Sequence, residues 1–191
     1  SHALLAFFAL SNADVLIARV TLDEQQSGLY AGGLILAKAV LFLPQFVVVI
    51  AFPSMSASDA RFAMMLRALG LVLLIGLGAT AVALTLPELA VAFVGGEAYG
   101  ALAGTIWAFA GLGTLLAMIQ LLIYNVVAQQ AKRAVLVVWL GLVTLFALSS
   151  AVSSVGFLLT AVVAVEALVL LALMGLGLRG RARTGSAANG G

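Results

Sequence analysis

The sequence predicts an all-α membrane protein of six transmembrane helices. Three observations lead there. The chain of 191 residues is 64% hydrophobic and only 8% charged, whereas a soluble domain is about 45–50% apolar and about 25% charged. Its mean hydropathy of +1.25 implies a fold whose surroundings are lipid, since so few polar residues cannot cover a surface in water. The apolar residues fall into six long runs, and the charges between those runs alternate in sign.

Crossing the hydrocarbon takes about 20 mostly apolar residues per helix. The expected spans are about 3–20, 29–52, 64–86, 101–128, 134–151 and 157–178. "TLDEQQSG" separates the first two and "PSMSASDAR" the next two, while Pro87 closes the third span. "PELAVAFVGGEAYG" reads as an amphipathic connector, and "QQAKR" and "SSVG" as tight turns. Residues 1–178 then form one six-helix transmembrane lobe, and residues 179–191, "RGRARTGSAANGG", a basic, disordered cytoplasmic tail. Runs this long without period-two alternation favour helices over a lipid-facing barrel, and a helix satisfies its own backbone in lipid.

Charge sets the expected orientation. The odd-numbered turns hold Asp23, Glu24, Glu88 and Glu97 and no Lys or Arg. The even-numbered connections and the tail hold Arg61, Arg67, Lys132, Arg133, Arg179, Arg181 and Arg183, seven of the nine basic residues. The positive-inside rule puts these in the cytoplasm, and both termini with them.

Several function classes find no support. The net charge is only +2 and its bases are scattered, unlike the clustered bases of a nucleic-acid-binding face. With no cysteine and a single histidine, His2, thiolate metal sites and disulfides are excluded, and no metal or cofactor is expected. "GLGLRG" neither follows a strand nor opens a helix, so it is no dinucleotide motif. No P-loop, catalytic triad or haem pattern is present, and nothing in the sequence argues for an enzyme.

The chemistry-bearing residues lie inside the spans. Asp14, Lys38 and Glu166 are embedded, and Arg19 lies near an outer boundary. A charge at the bilayer centre costs at least about 2.5–3.5 kcal/mol on insertion scales, so these groups should face the bundle interior and find partners. Counted from the outer turn at about 1.5 Å per residue, Asp14 is roughly 10 Å deep and Lys38 roughly 15 Å. An ion pair between them is the expectation, as a structural pin or as part of a substrate site. Arg19 reads as an interfacial snorkelling residue or as an anion ligand near the outer exit. Glu166 has no basic residue near it in sequence. It is either a proton- or cation-coupling carboxylate or a neutral, hydrogen-bonded packing residue.

Two prolines sit in "LFLPQFVVVIAFPSMS". Pro44 in mid-span is tolerable in a membrane bundle, where neighbouring helices, hydroxyls or water take up the freed carbonyl. It either shapes packing or provides a hinge and a pocket-lining carbonyl, as broken helices do in transporters. Pro53 is expected to end the same helix. Gln45, Gln120, Tyr124 and Asn125 are uncharged polar groups toward the cytoplasmic halves. They read as interhelical glue or as the lining of a polar cavity, with Gln120 and Tyr124 on one helix face. Many of the 20 glycines mark close helix packing.

The order of these features resembles the second half of polysaccharide flippases of the multidrug/oligosaccharidyl-lipid/polysaccharide exporter superfamily. The residues that carry the resemblance are Asp14 inside a helix, the acidic outer turn, Gly28, Tyr30, Pro44, and Pro53 with Ser54. "AVAFVGGEAYGALAGTIWAF", with Gly95, Gly96 and Tyr99, and "YNVVAQQAKRA" continue the match up to the tail. The resemblance implies one lobe of a two-lobe exporter in a bacterial cytoplasmic membrane, with the N-terminal lobe as its partner. The implied task is flipping polyprenyl-diphosphate-linked oligosaccharide between leaflets for surface polysaccharide biosynthesis. Arg19 and Lys38 are then candidates for attracting the diphosphate, and no nucleic acid is involved. The alternatives are a sister branch of the same superfamily, either a cation-coupled drug exporter, which would depend on Asp14 and Glu166, or a peptidoglycan-precursor flippase, and a membrane scaffold that transports nothing.

The topology makes a direct prediction. A cysteine placed at residue 97 reacts with an impermeant thiol reagent added outside intact cells, and one at residue 61 reacts only after permeabilisation. Labelling of both from one side overturns the six-span arrangement.

Overall fold

The computed structural model describes the backbone of residues 2–51, 58–129 and 132–188 and the side chains of residues 2–43, 63–125 and 132–177. Seven α-helices account for nearly all of it: α1 (His2–Thr21), α2 (Glu24–Ala51), α3 (Ser58–Thr85), α4 (Pro87–Val94), α5 (Ile106–Gln129), α6 (Lys132–Leu148) and α7 (Val155–Ala188). Short 3₁₀ turns occupy Gly96–Leu102 and Ser149–Ala151, and no strand occurs among the described residues. Six stretches of 20 or 23 residues are helical and apolar enough to cross a membrane, five of them within α1, α2, α3, α5 and α7 and one made of α6 with the 3₁₀ turn that follows it. The chain is therefore an all-α, multi-pass membrane protein, as its composition predicts.

The boundaries have local causes. Thr21 ends α1, with its hydroxyl donating to the Ile17 carbonyl at 2.7 Å. Asp23 then caps α2: its Oδ1 accepts the Gln26 N–H at 2.8 Å, satisfying a donor at the helix start. The expected outer turn of eight residues thus shrinks, because α2 starts at Glu24 and not near Leu29. Pro87 opens α4, where its missing N–H has no partner to lose. Gly95 and Gly96 end it, and the φ of +77° at Gly96 is one that side-chain-bearing residues seldom adopt. The connector is thus a short helix and a 3₁₀ turn, and the fourth span starts at Ile106 and not near Ala101.

Two further differences concern the ends of helices. The backbone of α2 runs as a continuous helix through Pro44 to Ala51, while the side chains of Pro44 and Gln45, and all of Pro53 and Ser54, lie outside the described residues. The backbone of α7 stays helical to Ala188, ten residues beyond the expected end at 178. Arg179, Arg181, Ala182 and Arg183 are good helix formers, and propensity continues the helix where composition predicts disorder.

Helix α5 is the axis of the bundle. It packs against α3, α2 and α7, with lighter contacts to α1 and α4, while α6 lies outside against α1 and α7. Ile106, Phe109, Leu112, Leu116, Ile119 and Ile123 of α5 are all fully buried. The outward faces are as apolar as the core: Phe8 and Leu74 are each 68% exposed, and Leu140 and Leu171 about as much. In water such a surface would aggregate; in lipid it is the expected solvent-facing surface.

Glycines set how closely α2 and α3 approach α5, and α2 the connector. A Cβ on Gly33 would lie 2.5 Å from the Phe109 ring, and one on Gly113 would run into the Ala37 carbonyl of α2. The Tyr99 ring is held between Gly32 and Gly95, which fastens the connector to α2. Small residues of this kind let backbones touch in lipid, where hydrophobic burial drives nothing together.

Gly113→Val is expected to lower stability by about 1–3 kcal/mol through overpacking against backbone that cannot yield. Gly70→Ala, where no atom lies near the added methyl, is expected to be neutral or to stabilise by about 0.4–1 kcal/mol. Thermal unfolding of the detergent-purified variants checks both.

Candidate functional site

Where α1, α2 and α7 meet, the structure gathers three of the four embedded charged residues. Asp14 is 2% exposed and Glu166 1%, and Lys38 is half-buried. Each lies close enough to feel the charge of the other two. Fully buried Tyr30 joins them from α2, one ring edge-to-face on Phe109 with centroids 5.4 Å apart. Arg19 stands apart at the end of α1.

Asp14 and Lys38 do not form the direct ion pair expected from their depths. The Lys38 ammonium donates to the Ser11 carbonyl at 2.5 Å and to Asn12 Oδ1 at 3.4 Å. Asp14 accepts the Tyr30 hydroxyl on Oδ2 at 3.2 Å and the Val15 N–H on Oδ1 at 2.8 Å. The physical reason lies in the helix between them. Ser11 O and Val15 N–H are the two ends of one i to i+4 step of α1. The cation takes the carbonyl end and the anion the N–H end. The two charges are thus joined through a polarised turn of backbone, with oppositely charged groups at either end.

Asn12 completes the arrangement. Its Nδ2 donates to the Phe8 carbonyl at 2.8 Å and to Ser11 Oγ at 3.2 Å, which leaves Oδ1 turned to Lys38. Neither Asn12 nor Ser11 is conspicuous in the sequence, because short polar residues inside apolar runs are common packing elements. Tyr30 is visible there only as part of the family resemblance.

Glu166 differs from its neighbours. Its Oε2 is buried without a hydrogen-bond partner, a condition shared among the described residues only by Gln26 Oε1. The sequence shows no base near it, and the fold supplies one from α2. A buried oxygen without a protein partner is uncommon, and it sets Glu166 apart from Asp14 and Lys38, whose polar atoms are bonded.

The remaining candidates lie elsewhere. Gln120 Nε2 donates to the Tyr124 hydroxyl at 2.8 Å along α5, as their spacing predicts. Asn125 is partly buried on the same helix and also engaged. Arg19 lines a cleft between α1 and α2 together with Glu24, Ser27 and Tyr30. Among the described residues no three His, Asp or Glu side chains come together as metal ligands would. No family model, curated protein or solved structure matches the chain.

Two substitutions separate the roles in this cluster. Tyr30→Phe is expected to lower stability by about 1–3 kcal/mol, since it removes a hydrogen bond to a charged group and leaves a buried oxygen bare. Glu166→Gln is expected to lower stability less than Tyr30→Phe does, because it breaks no hydrogen bond of Oε2. Unfolding midpoints in detergent measure both.

Proposed function

We propose that this chain is a transporter lobe of the bacterial cytoplasmic membrane, both termini cytoplasmic, that flips polyprenyl-diphosphate-linked oligosaccharide for surface polysaccharide biosynthesis together with a second helical lobe. The observation that carries the transport reading is the charge cluster of Asp14, Lys38 and Glu166 inside a bundle that is otherwise apolar. Holding one helix against another needs only small residues and hydroxyls, which the chain already uses at Gly33, Gly113 and Thr114. Three ionisable groups together at bilayer depth cost several kcal/mol more than such packing, and in membrane proteins they mark substrate or ion pathways. The choice of substrate rests on the ordered residues that resemble polysaccharide flippases. A diphosphate sugar cannot cross hydrocarbon unaided, and a shielded path with a few cations suits it while its lipid tail stays in the bilayer.

One observation favours the cation-coupled branch as the second reading. The Lys38 ammonium is already engaged by Ser11 and Asn12, whereas the Glu166 carboxyl keeps an oxygen unbonded. A scaffold that only binds partner helices has no use for either.

Proteoliposomes carrying the protein as its gene encodes it and a fluorescent polyprenyl-diphosphate oligosaccharide test the reading. Combined Arg19→Gln and Lys38→Met is expected to slow flipping at least about tenfold, the equivalent of 1.4 kcal/mol, and combined Asp14→Asn and Glu166→Gln to slow it less. The reverse order transfers the assignment to a cation-coupled drug exporter. Full activity in both, with both variants folded, overturns transport through this cluster.

A further inference from the structure

In the cleft between the end of α1 and the start of α2, two opposite charges, Arg19 and Glu24, face shared space without meeting. It encloses about 460 Å³ and is lined by Val15, Ala18, Arg19, Glu24, Ser27, Gly28, Tyr30 and Ala31. Neither the Arg19 guanidinium nor the Glu24 carboxylate has a hydrogen-bond or ion-pair partner among the described residues, and neither is among those with further interactions. Helix dipoles explain why each sits where it does: a cation at the C-terminal end of α1 and an anion in the first turn of α2. They do not explain why the two leave room between them. Gly28 contributes to that room, since nothing lies within 4 Å of where its Cβ would be.

We infer that this cleft binds the headgroup of a zwitterionic phospholipid bearing a primary amine, the phosphate on Arg19 and the ammonium on Glu24. The argument is one of charge and depth. A simple anion satisfies Arg19 and is repelled by Glu24, and a simple cation meets the converse. A phosphate and an ammonium on one short linker satisfy both charges at once. The guanidinium presents the planar donor fork that suits phosphate oxygens, while the Ser27 hydroxyl on the same rim is turned to the Glu24 carbonyl at 3.1 Å. A primary ammonium hydrogen-bonds to a carboxylate, which the quaternary amine of choline cannot do. The turn between α1 and α2 lies at the end of two membrane-crossing helices, at headgroup level. Val15, Ala18 and Ala31 give the deeper part of the cleft apolar walls against which glycerol and the first acyl carbons can rest. The inference does not depend on what, if anything, the protein transports.

Native mass spectrometry of the detergent-purified protein, titrated with short-chain phosphatidylethanolamine, phosphatidylcholine and phosphatidylglycerol, tests the proposal. Phosphatidylethanolamine is expected to bind at one site at least about tenfold more tightly than the other two, the gain of one charge-assisted hydrogen bond. Arg19→Gln is expected to abolish that preference, and Glu24→Gln to shift it toward the anionic phosphatidylglycerol. Both side chains are exposed, so neither change threatens folding, and unfolding midpoints in lipid-free detergent confirm it. Equal binding of the three lipids, or a preference that survives Arg19→Gln, overturns the assignment. Free phosphoethanolamine that binds as tightly as the lipid also overturns it, since the ligand is then a soluble molecule.

Discussion

Hydrocarbon offers no hydrogen bonds, and most polar groups within the described spans are placed in answer to that. The tightest expression of it is the bond from the Lys38 ammonium to the Ser11 carbonyl. A lysine near mid-span must find acceptors within its own bundle, and a helix has few to spare, because its carbonyls are already used by N–H groups one turn on. Asp14 relieves the competition at Ser11. By accepting the Val15 N–H it supplies that donor with a second partner, so the Ser11 oxygen can serve the ammonium. Asp14, Ser11, Val15 and Lys38 therefore stand or fall together. The register of α1 against α2 is set by which carbonyl the lysine reaches.

Packing around α5 converts that local match into a fold. Helices in lipid gain nothing from hiding apolar surface from one another, so close contact and good geometry have to hold them. The chain supplies both at the same level of the bundle. Gly33 admits the Phe109 ring, Phe109 meets the edge of Tyr30, and the Tyr30 hydroxyl ends on Asp14. An unbroken line of contacts runs from the central helix to the buried carboxylate. Gly113 brings the α5 backbone against α2 near Ala37, one residue from Lys38. The cluster is thus held by α5, although α5 contributes no charge to it.

The sequence made the spans legible because a bilayer tests each helix separately: length and apolarity suffice, and six of each are visible along the chain. It also showed which residues were out of place, since Asp14, Lys38 and Glu166 each violate the apolar pattern alone. What it did not show was how they are connected. Lys38 and Asp14 differ in depth by an amount a long side chain can bridge, and the simplest inference was a direct pair. The intercepted backbone turn depends on side-chain direction, which periodicity does not encode. Glu166 is more than a hundred residues from the base that approaches it, and no local signal reports a meeting of α7 with α2. Helix ends were blurred for another reason: caps such as Asp23 and propensity, as in the arginine- and alanine-rich end of α7, extend helices beyond the apolar run.

Tyr30 joins the interior of the bundle to its rim. One side of the residue lines the cleft that holds Arg19 and Glu24, and its hydroxyl ends on Asp14. The ring is fully buried and fixed against Phe109, so it cannot yield to an occupant of the cleft without disturbing both contacts. The aromatic ring stands between the two polar regions: Arg19 and Glu24 are exposed at the rim, while Asp14 and Glu166 are fully buried and Lys38 half-buried. Separation of this kind matters because a charge is cheap at the rim and expensive inside. A small side chain at this position would remove both the hydroxyl that bonds Asp14 and the ring that meets Phe109. The aromatic ring at position 30 is therefore as necessary to the buried cluster as the charges themselves.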